Sequence, residues 1–67
     1  MAFSYKPLWK LLIDRDMTKK QLMLAAGISK STMDKMSRSE HVSMDILDRI
    51  CNYFGCSIED VVEHRME

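Results

Sequence analysis

TKKQLMLAAGISKSTMDKM, residues 18–36, is the stretch whose reading decides the fold. Thr18 and Gln21 have the spacing of a capping box, in which a hydroxyl and an amide satisfy free backbone donors at a helix start. One helix therefore begins near Lys19. Gly27 follows its last apolar residues, at a position where a left-handed backbone is cheap only without a side chain. Ser29, two residues further on, is a cap for a second helix. The reading is two short helices joined by a tight glycine turn.

The second helix divides by face. Met33 and Met36 lie three apart on one side, whereas Lys30, Ser31, Asp34 and Lys35 fall mainly on the other. Such a helix can pack inward and read outward at once. In a helix-turn-helix the second helix enters the DNA major groove with its N-terminal residues at base edges, and the first crosses the backbone. Ser29, Lys30, Ser31 and Thr32 stand at that N-terminus. Lysine can donate to guanine O6 and N7, hydroxyls serve several bases, and the Thr32 methyl suits thymine.

The segment resembles the Cro/CI-type helix-turn-helix domain of phage repressors and bacterial regulators, the XRE family. The resemblance extends over roughly residues 5 to 63. A leading helix carries Leu8, Leu11 and Leu12; a later one ends ICNYFGC (50–56); SIEDVV (57–62) closes the order. The opening SYKPLWKLLIDR (4–15) and VSMDILDRIC (42–51) look like a branch of small stand-alone regulators. This implies an all-α, five-helix, lambda-repressor-like domain filling residues 1–67, with the helix-turn-helix at 18–37. It implies a homodimer on a two-fold double-stranded DNA site. Two departures stand out. Met23 replaces the small residue usual four before the turn glycine, and Ser37-Arg38-Ser39-Glu40-His41 lacks the family's glycine.

Length and composition agree with one small domain. A chain of 67 residues has a core that only narrowly outweighs chain entropy. The formal charge is zero, but it is unevenly placed. Residues 1–38 hold eight basic side chains against three acidic, a net of +5; residues 39–67 hold two against seven, a net of −5. The basic half contains the reading helix and attracts phosphates, while the acidic half turns away from them. Two cysteines are too few for a disulfide scaffold and lack zinc-ligand spacing. No apolar run would span a bilayer and no signal-peptide pattern is present, so a cytoplasmic, nucleoid-associated protein is expected.

Outside the motif, Pro7 suits a first helical turn, and helix one is expected to end near Arg15. Ser43 caps a fourth helix whose stripe of Ile46, Leu47, Ile50, Cys51 and Phe54 ends at Gly55. Ser57 with Asp60 repeats the cap logic for a short fifth helix, from which Ile58, Val61 and Val62 would bury. The first and last few residues look free.

The expected base contacts are Lys30, Ser31, Thr32 and Lys35, and the expected phosphate contacts are Thr18, Lys19, Lys20, Ser29 and Arg38. Each basic residue taken singly reads as solvated surface; the motif and the divided charge select the DNA reading. Met33 and Met36 read as core, while Met17, Met44 and Met66 would serve a partner if exposed. Trp9 and Tyr53 read as core edge rather than stacking platforms. His41 and His64 stand without metal-ligand partners, and the carboxylates are dispersed, so neither catalysis, metal nor cofactor is expected. Dimer contacts are open between helix five with the tail and the alternating Phe3 and Tyr5, and a monomer that meets its partner only on DNA is the other option. The alternative function is a protein-interaction module of the same fold, such as an antitoxin subunit or a phage-encoded modulator.

Overall fold

A computed structural model describes residues 2–66. In chain order they form β1 (Ala2–Ser4), α1 (Lys6–Asp14), α2 (Lys19–Ala26), α3 (Lys30–Ser37), α4 (Met44–Phe54), a 3-10 turn (Ile58–Asp60) and β2 (Glu63–Arg65). α2, α3 and α4 start where hydroxyl caps were expected. Thr18 Oγ1 accepts from Gln21 N–H at 3.1 Å, and Gln21 Oε1 in turn accepts from Thr18 N–H at 2.8 Å. Ser29 caps α3 through Thr32 N–H, and Ser43 caps α4 through Ile46 N–H.

All four helices also end alike. Asp16, Gly27, Ser39 and Gly55 take the left-handed conformation, with φ of 53°, 68°, 58° and 65°. In each case the next N–H reaches back to a carbonyl five residues earlier: Met17 to Leu12, Ile28 to Met23, Glu40 to Lys35 and Cys56 to Cys51. This closure satisfies carbonyls left free at a helix end. The loop without a glycine, 37–41, therefore makes the same turn as the glycine sites, with Ser39 accepting the backbone strain.

The five-helix expectation is corrected to four α-helices among the described residues. Asp60 Oδ2 does accept from Ser57 N–H at 3.2 Å, but the helix runs for one 3-10 turn only. The β-branched pair Val61-Val62 favours extended backbone, and the following residues pair antiparallel with β1 in the register Ala2↔Arg65, Phe3↔His64, Ser4↔Glu63. Residues 2–4 and 63–65, expected to be free, thus hold each other. Tight 3-10 geometry also leaves Ile58 41% exposed, against the expectation that it buries, whereas Val61 is fully buried and Val62 partly so.

The core draws on every helix: Leu8 and Leu12, Leu22, Ile28, Met33 and Met36, Leu47, Ile50 and Phe54, closed by Tyr5 and Val61. Met33 and Met36 are core residues, as their spacing indicated. Tyr5, 3% exposed, is also core, which removes it as a surface contact for a second copy. Its hydroxyl donates to the Glu40 carbonyl at 2.8 Å, pinning the α3–α4 loop to the start of α1. Burial pushes the Tyr5 pKa up, opposed by the backbone at Val42, so the hydroxyl keeps its proton. α1 has no side-chain cap; its Leu8 N–H donates instead to Val61 O at 3.2 Å, so the chain's far end completes its first helix.

Candidate nucleic-acid interface

α3 presents its polar face because its apolar one is occupied. At 100° per residue the buried Met33 and Met36 define the inner side, which places Ser31 at the centre of the outer side with Asp34 and Lys35 flanking it. Lys30 stands at the edge of that face, its side chain 80% exposed and its ammonium 3.1 Å from Asp34 Oδ2. An exposed pair of this kind contributes little to stability and gives way readily to a stronger anion. Ser31 and Lys35 are exposed, and Thr32 is half-buried.

The hydroxyls at the start of α3 form a cluster. Ser29 Oγ donates to Thr32 Oγ1 at 3.0 Å and lies 3.2 Å from Ser31 Oγ. Ser29 and Thr32 are thus engaged with each other, and Thr18 is engaged with Gln21. These bonds hold the helix starts; they leave lone pairs and exposed surface for a ligand.

The cations expected at phosphates differ in their surroundings. Lys20 is exposed. Lys19 Nζ lies 4.3 Å from the centroid of the Trp9 ring and donates to Ser37 Oγ at 3.0 Å, so this lysine ties α1, α2 and the end of α3 together. Arg38 pairs with Glu40, and that hydrogen bond raises its pKa further. The structure places Thr18, Lys19 and Lys20 at the start of α2 and Ser29, Lys30, Ser31, Thr32, Lys35 and Arg38 along α3 and its end.

Sequence reasoning missed two residues at this site. Arg49, on α4, donates from Nη1 to the Gly27 carbonyl at 3.1 Å while its Nη2 holds Asp45 Oδ2 at 3.0 Å. The Asp45/Arg49 spacing was a legible helical ion pair, but the reach to the turn depends on how α2 packs on α4. His41 lines a cleft of about 290 Å³ with Thr32, Lys35 and Ser43, between α3 and the start of α4. Only the folded loop puts it there.

No group of three metal-ligating side chains gathers among the described residues. Burial pushes the Cys51 thiol up, with Cys56 beside it adding to the effect, which favours the inert protonated form. Among the described residues no helix is long and apolar enough to cross a membrane.

Comparison with known proteins bears on this geometry. The crystal structure of the transcriptional regulator VanUg is similar, with a TM-score of 0.93 and 48% sequence identity over 98% of this chain and 88% of that one. No curated protein matches. The family model of the Cro/C1-type helix-turn-helix DNA-binding domain matches residues 7–67, which include both motif helices, the Arg49 clamp and the 3-10 turn. The chain belongs to the Cro/C1-type helix-turn-helix DNA-binding domain family.

Proposed function

We propose that this chain is a repressor-like transcriptional regulator that binds double-stranded DNA sequence-specifically, reading the major groove with α3. The observation that carries the reading is the division of α3. Met33 and Met36 are committed to the core, so Ser31 and Lys35 face outward with Lys30 and Thr32 beside them. Those four side chains meet base edges. Lys19, Lys20 and Arg38 hold phosphates, joined by the hydroxyls and backbone donors at Thr18 and Ser29. Two copies bind a two-fold site whose half-sites lie about 34 Å apart, one helical turn.

Salt dependence tests the phosphate part. Affinity for duplex DNA falls linearly on a logarithmic salt axis, and Lys20→Ala lowers the slope by about one unit on all duplexes alike. Lys19→Ala lowers the slope similarly and also the melting temperature, because its ammonium contacts Trp9 and Ser37. Affinity indifferent to salt would contradict DNA binding and favour a protein-interaction module.

A further inference from the structure

The reach-back bond that closes each helix also pairs two side chains. The residues it joins, five apart, stand at the positions that commonly make an apolar contact across such a turn. After α1 these are Leu12 and Met17, and after α2 Met23 and Ile28; after α4 they are Cys51 and Cys56, the chain's two cysteines. Cys56 N–H donates to the Cys51 carbonyl at 3.1 Å. A bond of that length keeps the two Cα atoms within about 7 Å even with every intervening bond fully extended. The left-handed turn at Gly55 folds them closer. Disulfides span roughly 4.4–6.8 Å between Cα atoms, so a bridge is within reach of the backbone as it stands.

Both thiols are free and half-buried, but their surroundings differ. Cys56 lines a cleft of about 370 Å³ with Pro7, Lys10, Leu11 and Asp14 of α1 and Asp60 of the 3-10 turn, room enough for a small molecule to approach its sulfur. Burial, and then Cys56 itself, hold the Cys51 thiol in its protonated form.

We propose that Cys51 and Cys56 are a reversible oxidation site, closed to an intramolecular disulfide by a low-molecular-weight disulfide such as oxidised glutathione and reopened by the corresponding thiol. Cys56 reacts first, from the cleft. Its thiolate attacks one sulfur of the oxidant, whose S–S bond breaks, and one glutathione leaves as a thiolate that takes up a proton. Cys51 then gives its proton to solvent and attacks Cys56 Sγ, and the intramolecular S–S bond forms as the second glutathione leaves. Two protein thiols are oxidised and one glutathione disulfide is reduced to two thiols. The ring fixes the last turn of α4, the helix whose Arg49 holds the Gly27 carbonyl.

The test equilibrates the whole folded chain in buffers of reduced and oxidised glutathione, quenches it with acid, alkylates it and digests it with chymotrypsin, which cuts after Tyr53 and Phe54. Mass spectrometry is expected to show the two cysteine fragments joined, with the loss of two hydrogen atoms. Cys51→Ser is expected to stop at a glutathione adduct on Cys56 that reduced glutathione removes. Because the turn already holds the thiols together, the equilibrium constant for ring closure is expected to be at least tenfold larger in the folded chain than in guanidinium. By reciprocity, closing the ring then raises the folding equilibrium constant by the same factor, and the oxidised chain melts higher. That comparison uses the wild type alone, so it does not depend on a variant folding. An equal or smaller constant in the folded chain, glutathione adducts on both cysteines without a ring, or disulfides formed only between chains would overturn the proposal.

Discussion

The third helix, α3, lies between two left-handed turns built from different residues. At Gly27 the chain uses the residue that tolerates φ of 68° without cost; at Ser39 it adopts φ of 58° with a side chain in place. Both turns close with the same reach-back hydrogen bonds, Ile28 to Met23 and Glu40 to Lys35. The difference teaches that the closure belongs to the fold and glycine only lowers its cost. At Gly27 the Arg49 clamp adds a bond to the turn's own carbonyl. At Ser39 the neighbouring Glu40 carbonyl is held by Tyr5 instead. Each turn is pinned by a residue distant in sequence.

Replacing Gly27 with valine breaks the comparison most severely. A Cβ there would meet Arg49 Nη1 at 3.8 Å, an ordinary contact, so space is not the obstacle. The cost is backbone strain, about 1–3 kcal/mol, and thermal denaturation should show a loss of roughly 4–8 °C for each kcal/mol. A variant melting with the parent would show that Gly27 does not need its left-handed backbone.

Tyr5→Phe sharpens the account of the second turn. It removes the hydroxyl that holds Glu40 and keeps the ring in the core, so the expected loss is about 0.5–1.5 kcal/mol in denaturant unfolding. Amide exchange should quicken at Ser39 and Glu40 first. Uniform acceleration across the domain would mean that the hydroxyl does not act on the loop.

Ser39→Gly carries the smallest effect and the opposite sign. Relief of roughly 1–2 kcal/mol of left-handed strain is partly offset by glycine's greater freedom when unfolded, about 0.5–1 kcal/mol. A net gain near 0.5 kcal/mol is expected from the same unfolding curves. A clear loss would show that the serine side chain supports the turn.

Legibility from sequence follows the range of the interaction. Caps at Thr18, Ser29 and Ser43, glycine terminators at 27 and 55 and the Met33/Met36 core face are signals within four residues, and each stands in the fold as read. Asp16 and Ser39 end helices without a glycine to announce them. The β1–β2 pairing joins residues about 60 apart, and three-residue strands carry too short an alternation to read. The supposed fifth helix was misjudged for the same reason: its cap was visible, its competing partner was not. At the interface, the outward face of α3 was legible by periodicity. The Lys19–Trp9 contact, the Arg49 clamp and the position of His41 depend on tertiary packing.

The most direct test of the account measures the ratio of specific to random-duplex affinity for the wild type, Lys30→Ala and Lys35→Ala on a selected site, by fluorescence anisotropy. If α3 reads bases, each variant melts close to the parent temperature, loses about 1–3 kcal/mol on the selected site and loses less on random DNA. Lys35 starts without the Asp34 pairing that Lys30 must give up, so Lys35→Ala is expected to show the larger loss. Retention of the full ratio by both variants would contradict the assignment of α3 as the reading helix.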